Sequence, residues 1–241
     1  MVNIEFFHDL EALSRAAAAF IEARALKHIA GKNIFTMAIS GGSTPQKTYA
    51  LLAASPYRER LPWGKIYLFF VDERWVPADS TFSNFRLVSE AMLKFLPIPK
   101  NNIFNIPVGG KSAPADARQY EKMLKAFFTG LNFPVFDLVL MGMGTDGHSA
   151  SLFPSSSALA EKTKWVINSR APIDFPVPER ITLTLPVLKQ ARETLFIISG
   201  KGKGTILQEL IKNPAAAERY PAAHIITNPA TTLFVDKTIF T

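Results

Sequence analysis

The chain contains no cysteine, so neither a disulfide framework nor a thiolate metal site can be built from it. Its four histidines, at positions 8, 28, 148 and 224, are too scattered for an H-E-x-x-H motif or a comparable metal cluster. No run of about five like charges and no basic stripe interleaved with aromatics occurs, which argues against a nucleic-acid partner. No segment offers roughly 18 uncharged apolar residues. Met1 to Asp9 also lacks the basic start and apolar run of a signal peptide. A cytoplasmic protein with no membrane partner is therefore expected. Linkers, low-complexity tracts and repeats of about 20–50 residues are missing as well, so one domain over 1–241 is expected.

What is present is an ordinary globular composition, 48% hydrophobic and 20% charged over 241 residues. Twenty-seven Lys and Arg against 20 Asp and Glu leave a net charge of +7, which favours an anionic partner, and a small phosphorylated ligand fits best. Apolar residues at Leu10, Leu13, Ala17, Phe20, Ile21, Ala25 and Ile29 mark one face of a helix ended by Gly31. Ile34 to Ile39, Ile66 to Val71 and Val135 to Met141 are short continuous apolar runs, the mark of parallel strands buried on both faces. Between them, Val88 to Phe95 and Tyr120 to Phe128 repeat at helical spacing. Further strands are predicted at Lys164–Asn168, Ile181–Leu185, Leu195–Ser199 and Thr232–Val235, with a helix from Thr205 to Ile211 stopped by Asn213-Pro214. Such an α/β alternation directs attention to the loops beyond the carboxyl ends of the strands, where open parallel sheets bind ligands.

Three of those loops carry unusual chemistry. Ser40-Gly41-Gly42-Ser43-Thr44-Pro45 follows the first of these strands and leads into a helix from Gln46 to Ala53. Two glycines, two hydroxyls and the free N–H groups of a helix start suit a phosphate; the alternative is a tight turn capped by Ser43 or Thr44. Asp72-Glu73-Arg74-Trp75-Val76-Pro77 follows the next strand. Asp72 there is placed to orient a sugar hydroxyl or act as a base, and Arg74 to neutralise an oxyanion or phosphate, unless the acids and the arginine merely form a local ion pair. Arg86, in Ser83-Asn84-Phe85-Arg86, is either a ligand or a solvated cation in a first helical turn.

The third loop, Gly142 to Pro154, matches G-x-G-x-x-G formally at 142, 144 and 147. It does not stand in the first strand–helix unit, and Glu161 does not supply the acid expected about 20 residues further on. Its stronger feature is Asp146 two residues before His148, an imidazole with a carboxylate at hand to orient it. His8 and His224 have no comparable loop, and His28 sits near the edge of a helix face. Ser149 and Ser151 lack a G-x-S-x-G elbow, and Gly202-Lys203-Gly204 lacks the upstream glycine of a P-loop, which leaves Lys203 as a single phosphate-binding cation.

Together with Arg180-Ile181-Thr182-Leu183-Thr184, Gly200 to Lys203 and Pro221-Ala222-Ala223, these segments resemble the 6-phosphogluconolactonase family in order and spacing over nearly the whole chain. The resemblance implies a doubly wound, mostly parallel α/β fold shared with glucosamine-6-phosphate deaminases. It also implies hydrolysis of 6-phosphogluconolactone to 6-phosphogluconate in the oxidative pentose phosphate pathway, without metal or cofactor. On that basis Gly41, Gly42, Ser43 and Thr44 are expected to hold the substrate phosphate, with Arg180 and Lys203 adding charge and Asp72 contacting the sugar. His148, oriented by Asp146, is expected to activate water, and Arg74, or less favourably Arg86, to stabilise the oxyanion. The deaminases are the competing reading, but their histidine loop typically continues through Asn-Glu-Pro, whereas this one reads Ala150-Ser151-Leu152-Phe153-Pro154 with no acid. Their second loop is of the Met-Asp-Glu-Tyr kind, against Asp72-Glu73-Arg74-Trp75 here. A non-catalytic sugar-phosphate sensor is a third reading. Such sensors carry a DNA-binding domain, whereas the 33 residues ahead of the first predicted strand read as a single helix. A monomer or weak homo-oligomer is expected.

Overall fold

The computed structural model describes residues 2–212 and 219–240. In chain order the elements are β1 (Asn3–Phe7), α1 (Leu10–Lys32), β2 (Phe35–Ile39), α2 (Ser43–Leu52), α3 (Tyr57–Arg60), β3 (Ile66–Phe70), β4 (Asp72–Arg74), α4 (Asn84–Ala91), β5 (Ile103–Phe104), α5 (Ala113–Phe127), β6 (Leu138–Met141), β7 (Val166–Arg170), β8 (Glu179–Leu183), α6 (Leu185–Lys189), β9 (Glu193–Ile198), α7 (Gly204–Lys212), α8 (Pro221–Ile226) and β10 (Thr231–Asp236). The expected stop at Asn213-Pro214 lies outside the described residues.

The long first helix illustrates how local chemistry sets the boundaries. Asp9 caps it by accepting from the Ala12 N–H at 2.8 Å, and Leu13, Ala17, Ile21 and Ala25 form the buried stripe. It ends on Asn33, in the left-handed region at φ 67°, and not on Gly31, which stays inside the last turn. Asparagine tolerates that conformation better than most residues, so it competes with glycine as a stop.

Seven parallel strands form the main sheet in the order β1-β10-β9-β6-β2-β3-β5. β2 lies in its interior, every residue buried, with Met37 in register with Leu68 of β3 on one side and Leu138 of β6, the central strand, on the other. From β2 the chain winds outward through β3 and β5. It then returns to β6 on the opposite flank and winds outward again through β9 and β10, as the doubly wound α/β expectation requires. The strand order therefore reverses between β2 and β6, and a crevice opens beyond the carboxyl ends of these two strands.

Two expectations need correction. The residues before the first predicted strand are not a helix alone: Asn3–Phe7 pairs in parallel with β10 as an edge strand. Its mixed polarity hides it, because an edge strand is only partly buried. The predicted strands near 164–168 and 181–185 do not extend the main sheet. They appear as β7 and β8, an antiparallel pair, and Asp72–Arg74 joins them as β4 in a second sheet, β4-β8-β7. Both sheets contribute to one apolar cluster, in which Ile181, Leu183 and Val166 accompany Phe70, Val71 and Leu124. No helix of the described residues is long and apolar enough to cross a membrane.

Candidate active site

The loops after β2 and β6 meet at the crevice and line a cleft of about 180 Å³, together with Asp72, Arg74, Asn84 and Lys203. On the β2 side, α2 starts at Ser43, earlier than the helix expected from Gln46. Gly42 precedes it at φ 102°, and no side chain among the described residues caps the helix start. Gly41, Gly42, Ser43 and Thr44 thus present an uncapped first turn, with its positive dipole end, to the cleft. Ser40 serves a structural purpose: its hydroxyl donates to Leu140 C=O at 2.9 Å and ties β2 to β6, while Tyr49 Oη donates to Ser40 C=O at 2.5 Å. Gly41 is required by packing. A Cβ there would lie 2.8 Å from Cβ of Asn84 and closer still to its amide group.

Lys203, at the turn before α7, faces the same cleft half-buried. Its carbonyl accepts from Leu207 N–H at 2.9 Å, but its ammonium has no ion-pair or hydrogen-bond partner among the described residues, and burial lowers its pKa below the ordinary lysine value. A cation held this way is poised for an anionic ligand.

On the β6 side, Asp146 accepts twice from His148, from the backbone N–H at 3.1 Å and at the ring Nδ1 at 2.5 Å. Burial pushes the Asp146 carboxyl up, but the hydrogen bond and charge of His148 outweigh it and hold the group below its usual range. An ionised carboxylate can only accept, so Nδ1 carries the proton and Nε2 is the free nitrogen when the ring is neutral. Gly147, at φ 79°, makes this turn possible. Gly144 leaves room for the ring, since a Cβ there would fall 2.6 Å from Asp146 Oδ1 and nearer to Nδ1 and Cε1 of His148.

The second sheet supplies the remaining wall. Asp72 is buried, accepting from Ser151 Oγ at 2.6 Å and more distantly from Asn84 Nδ2 at 3.4 Å. Ser151, passed over in the sequence as a nucleophile, is thus the residue that orients Asp72. Glu73 turns away from the cleft. It accepts from Ser83 Oγ and from the N–H groups of Arg74, Asn84 and Phe85, locking β4 to the start of α4, and burial raises its pKa against the pull of those donors. Arg74 consequently forms no local ion pair. Its Nη1 donates to Phe82 C=O at 2.7 Å, and its buried Nε has no partner among the described residues.

Two expected site residues are not brought into the cleft. Arg86 pairs with Glu90 at 2.9 Å and donates to Asp79 C=O at 2.6 Å on the outer side of α4, the solvated alternative. Arg180 is the cross-strand neighbour of Arg74 and is buried. It donates to Val177 C=O at 2.9 Å and does not line the cleft. Burial first, then the like charge of Arg74, lowers its pKa.

Comparison with known proteins adds three findings. A profile of glucosamine-6-phosphate isomerases/6-phosphogluconolactonase matches residues 8–234. The chain is 36% identical over 225 residues to a 6-phosphogluconolactonase of Synechocystis sp., covering 92% of this chain and 90% of the relative. Among solved structures, 6-phosphogluconolactonase from Thermotoga maritima aligns with a TM-score of 0.84 at 29% identity, over 98% of this chain and 100% of that one. A monomeric glucosamine-6-phosphate deaminase reaches the same TM-score at 18% identity, over 99% of both chains, which is a likeness of fold.

Proposed function

This chain belongs to the glucosamine-6-phosphate isomerase/6-phosphogluconolactonase family, and we infer that it hydrolyses 6-phospho-D-glucono-1,5-lactone to 6-phospho-D-gluconate, a step of the oxidative pentose phosphate pathway. The observation that carries the reading is the His148–Asp146 pair on one side of a cleft whose other side holds an uncapped helix start, with an unpartnered lysine facing the same space.

In this reading the substrate phosphate lies on Gly41, Gly42, Ser43 and Thr44 and is neutralised by Lys203, which fixes the lactone carbonyl near His148. Nε2 of His148 takes a proton from water as its oxygen bonds to C1, and Asp146 stabilises the imidazolium. The C1 oxyanion is met by the unspent donors of Arg74, a contribution whose loss costs on the order of 100-fold in rate. When the tetrahedral intermediate collapses, the C1–ring oxygen bond breaks and Nε2 returns the proton to the ring oxygen. Asp72, with its oxygens held by Ser151 and Asn84, accepts from a sugar hydroxyl. The deaminase alternative is disfavoured because Ala150 to Pro154 carries no acid and Ser151 is committed to Asp72. We further propose a single domain acting in the cytoplasm as a monomer or weak homo-oligomer.

The test is acid release from freshly generated lactone near neutral pH, beside a no-enzyme control because lactones hydrolyse unaided. His148→Ala is expected to lose about 10²–10⁴-fold in turnover. Full activity in that variant would refute the assignment of the base. No acceleration by the wild type, with ammonia released from glucosamine 6-phosphate instead, would move the chain to the deaminase reading.

A further inference from the structure

With His148 as the base, which rests on the function proposed above, a further question is what holds its ring. The imidazole lies in a three-ring cluster, with its centroid 4.8 Å from Phe153 and 5.6 Å from Phe175, and with the two phenyl rings 5.2 Å apart. Phe153 comes from the same loop as His148 and is buried. Phe175 arrives from a different part of the fold, the connection between β7 and β8 in the second sheet.

That connection is built stiffly. Ala171 N–H donates to Pro178 C=O at 2.8 Å and Phe175 N–H to Pro172 C=O at 3.1 Å, so prolines accept both closing bonds. Arg180 braces it from the adjacent strand through the bond to Val177 C=O, with its guanidinium 5.9 Å from the centre of the Phe175 ring. At the same tip Ile173 is 95% exposed, while Ala171 and Val177 at the two ends of the connection are buried. Phe175, partly buried, is the aromatic residue of this connection that meets the base, edge to face at an interplanar angle of 79°.

We propose that Phe175 is a positioning residue for the reaction. It blocks the ring rotation that would exchange Nδ1 and Nε2, and it keeps water off the Nδ1–H···Asp146 bond. Arg180 then acts through this brace on Phe175 and not on the substrate phosphate, in keeping with its place outside the cleft. The second sheet thereby gains a task in catalysis beyond supplying Asp72 and Arg74.

The experiment compares Phe175→Leu, which keeps apolar bulk but loses the ring, with Phe175→Tyr, which keeps the ring. Turnover and KM are measured beside the ¹⁵N–¹H spectrum of histidine-labelled protein. The expected result for Phe175→Leu is a kcat about tenfold lower with KM within about twofold of wild type, since a sub-ångström misplacement of a base reduces turnover before binding. Its His148 Nδ1–H signal is expected to vanish through exchange with water. Phe175→Tyr is expected to restore the signal and kcat to within about threefold of wild type. An unchanged kcat in Phe175→Leu, a retained signal, or a loss carried by KM instead of kcat would each overturn the proposal. The spectrum reports on the ring whether or not His148 is the base, so a fully active His148→Ala would refute the functional reading separately.

Discussion

Replacing Gly144 with alanine adds one methyl group and no chemistry, yet it should nearly abolish catalysis. The backbone of Gly144 is not in the left-handed region, so alanine is tolerated by the main chain, and the penalty is one of space. The new Cβ would sit 2.6 Å from Asp146 Oδ1 and closer still to two atoms of the His148 ring, where ordinary contact begins at 3.4 Å. The Asp146–His148 pair must therefore retreat by about 1 Å, and a displacement of that size at a base costs on the order of 100-fold in turnover, or ~2.7 kcal/mol of transition-state stabilisation. The fold should persist, because the bonds from Gly144 N–H to His148 C=O and from Gly147 N–H to Gly144 C=O do not involve the new atom. Lactone hydrolysis followed by acid release, with far-ultraviolet circular dichroism as the folding control, decides the matter. A folded Gly144→Ala protein with kcat within about threefold of wild type would refute the claim that the tight loop positions the base.

The same substitution at Gly31 should act in the opposite direction. It is an exposed residue in the last turn of α1, and among the described residues no atom other than its chain neighbours and the helix's own backbone lies within 4 Å of the place a methyl group would take, so Gly31→Ala should add about 1 kcal/mol, raise Tm by about 2–4 °C and leave kcat alone. Lys203→Met should separate stability from function. Removing an unpartnered half-buried charge is expected to raise the Tm of the ligand-free protein, while KM rises about 10–100-fold with the loss of a charge-assisted phosphate contact. Unchanged KM would remove Lys203 from the phosphate site. His28, 3.3 Å from Asp137 at the other end of the sheet, carries a pKa held below its ordinary value of 6.5. Burial outweighs the attraction of Asp137, whose charge also serves Lys32 at 2.8 Å and Arg192 at 3.4 Å. As pH falls through 6.5 the unfolded chain binds a proton that the folded chain resists, so stability should decline there. Urea midpoints at about pH 7.5 and 5.5 should fall less in His28→Gln than in wild type, and an equal fall would assign the effect to another group.

The sequence by itself determined the elements whose signal is local. Continuous apolar runs specified β2, β3, β6, β9 and β10, and three-and-four spacing specified α1 and α5, because burial on both faces or on one stripe is written directly into residue order. The position of Gly41 to Thr44, and of Asp146 and His148, just beyond the carboxyl ends of those strands was legible for the same reason, although Ser43 and Thr44 belong to the first turn of α2. Tertiary structure alone decided which charges are spent. Arg74 and Arg86 look alike in sequence, but Glu90 and the Asp79 carbonyl occupy Arg86, while Glu73 satisfies backbone N–H groups and leaves the Arg74 Nε free. It also decided that β4, β7 and β8 form a separate antiparallel sheet, that Ser151 holds Asp72, and that Phe175 reaches His148 from a distant hairpin. A residue's appetite for burial or for a partner is a property of its own side chain and its near neighbours. Which partner it finds depends on atoms brought across long loops, and no local pattern records that choice.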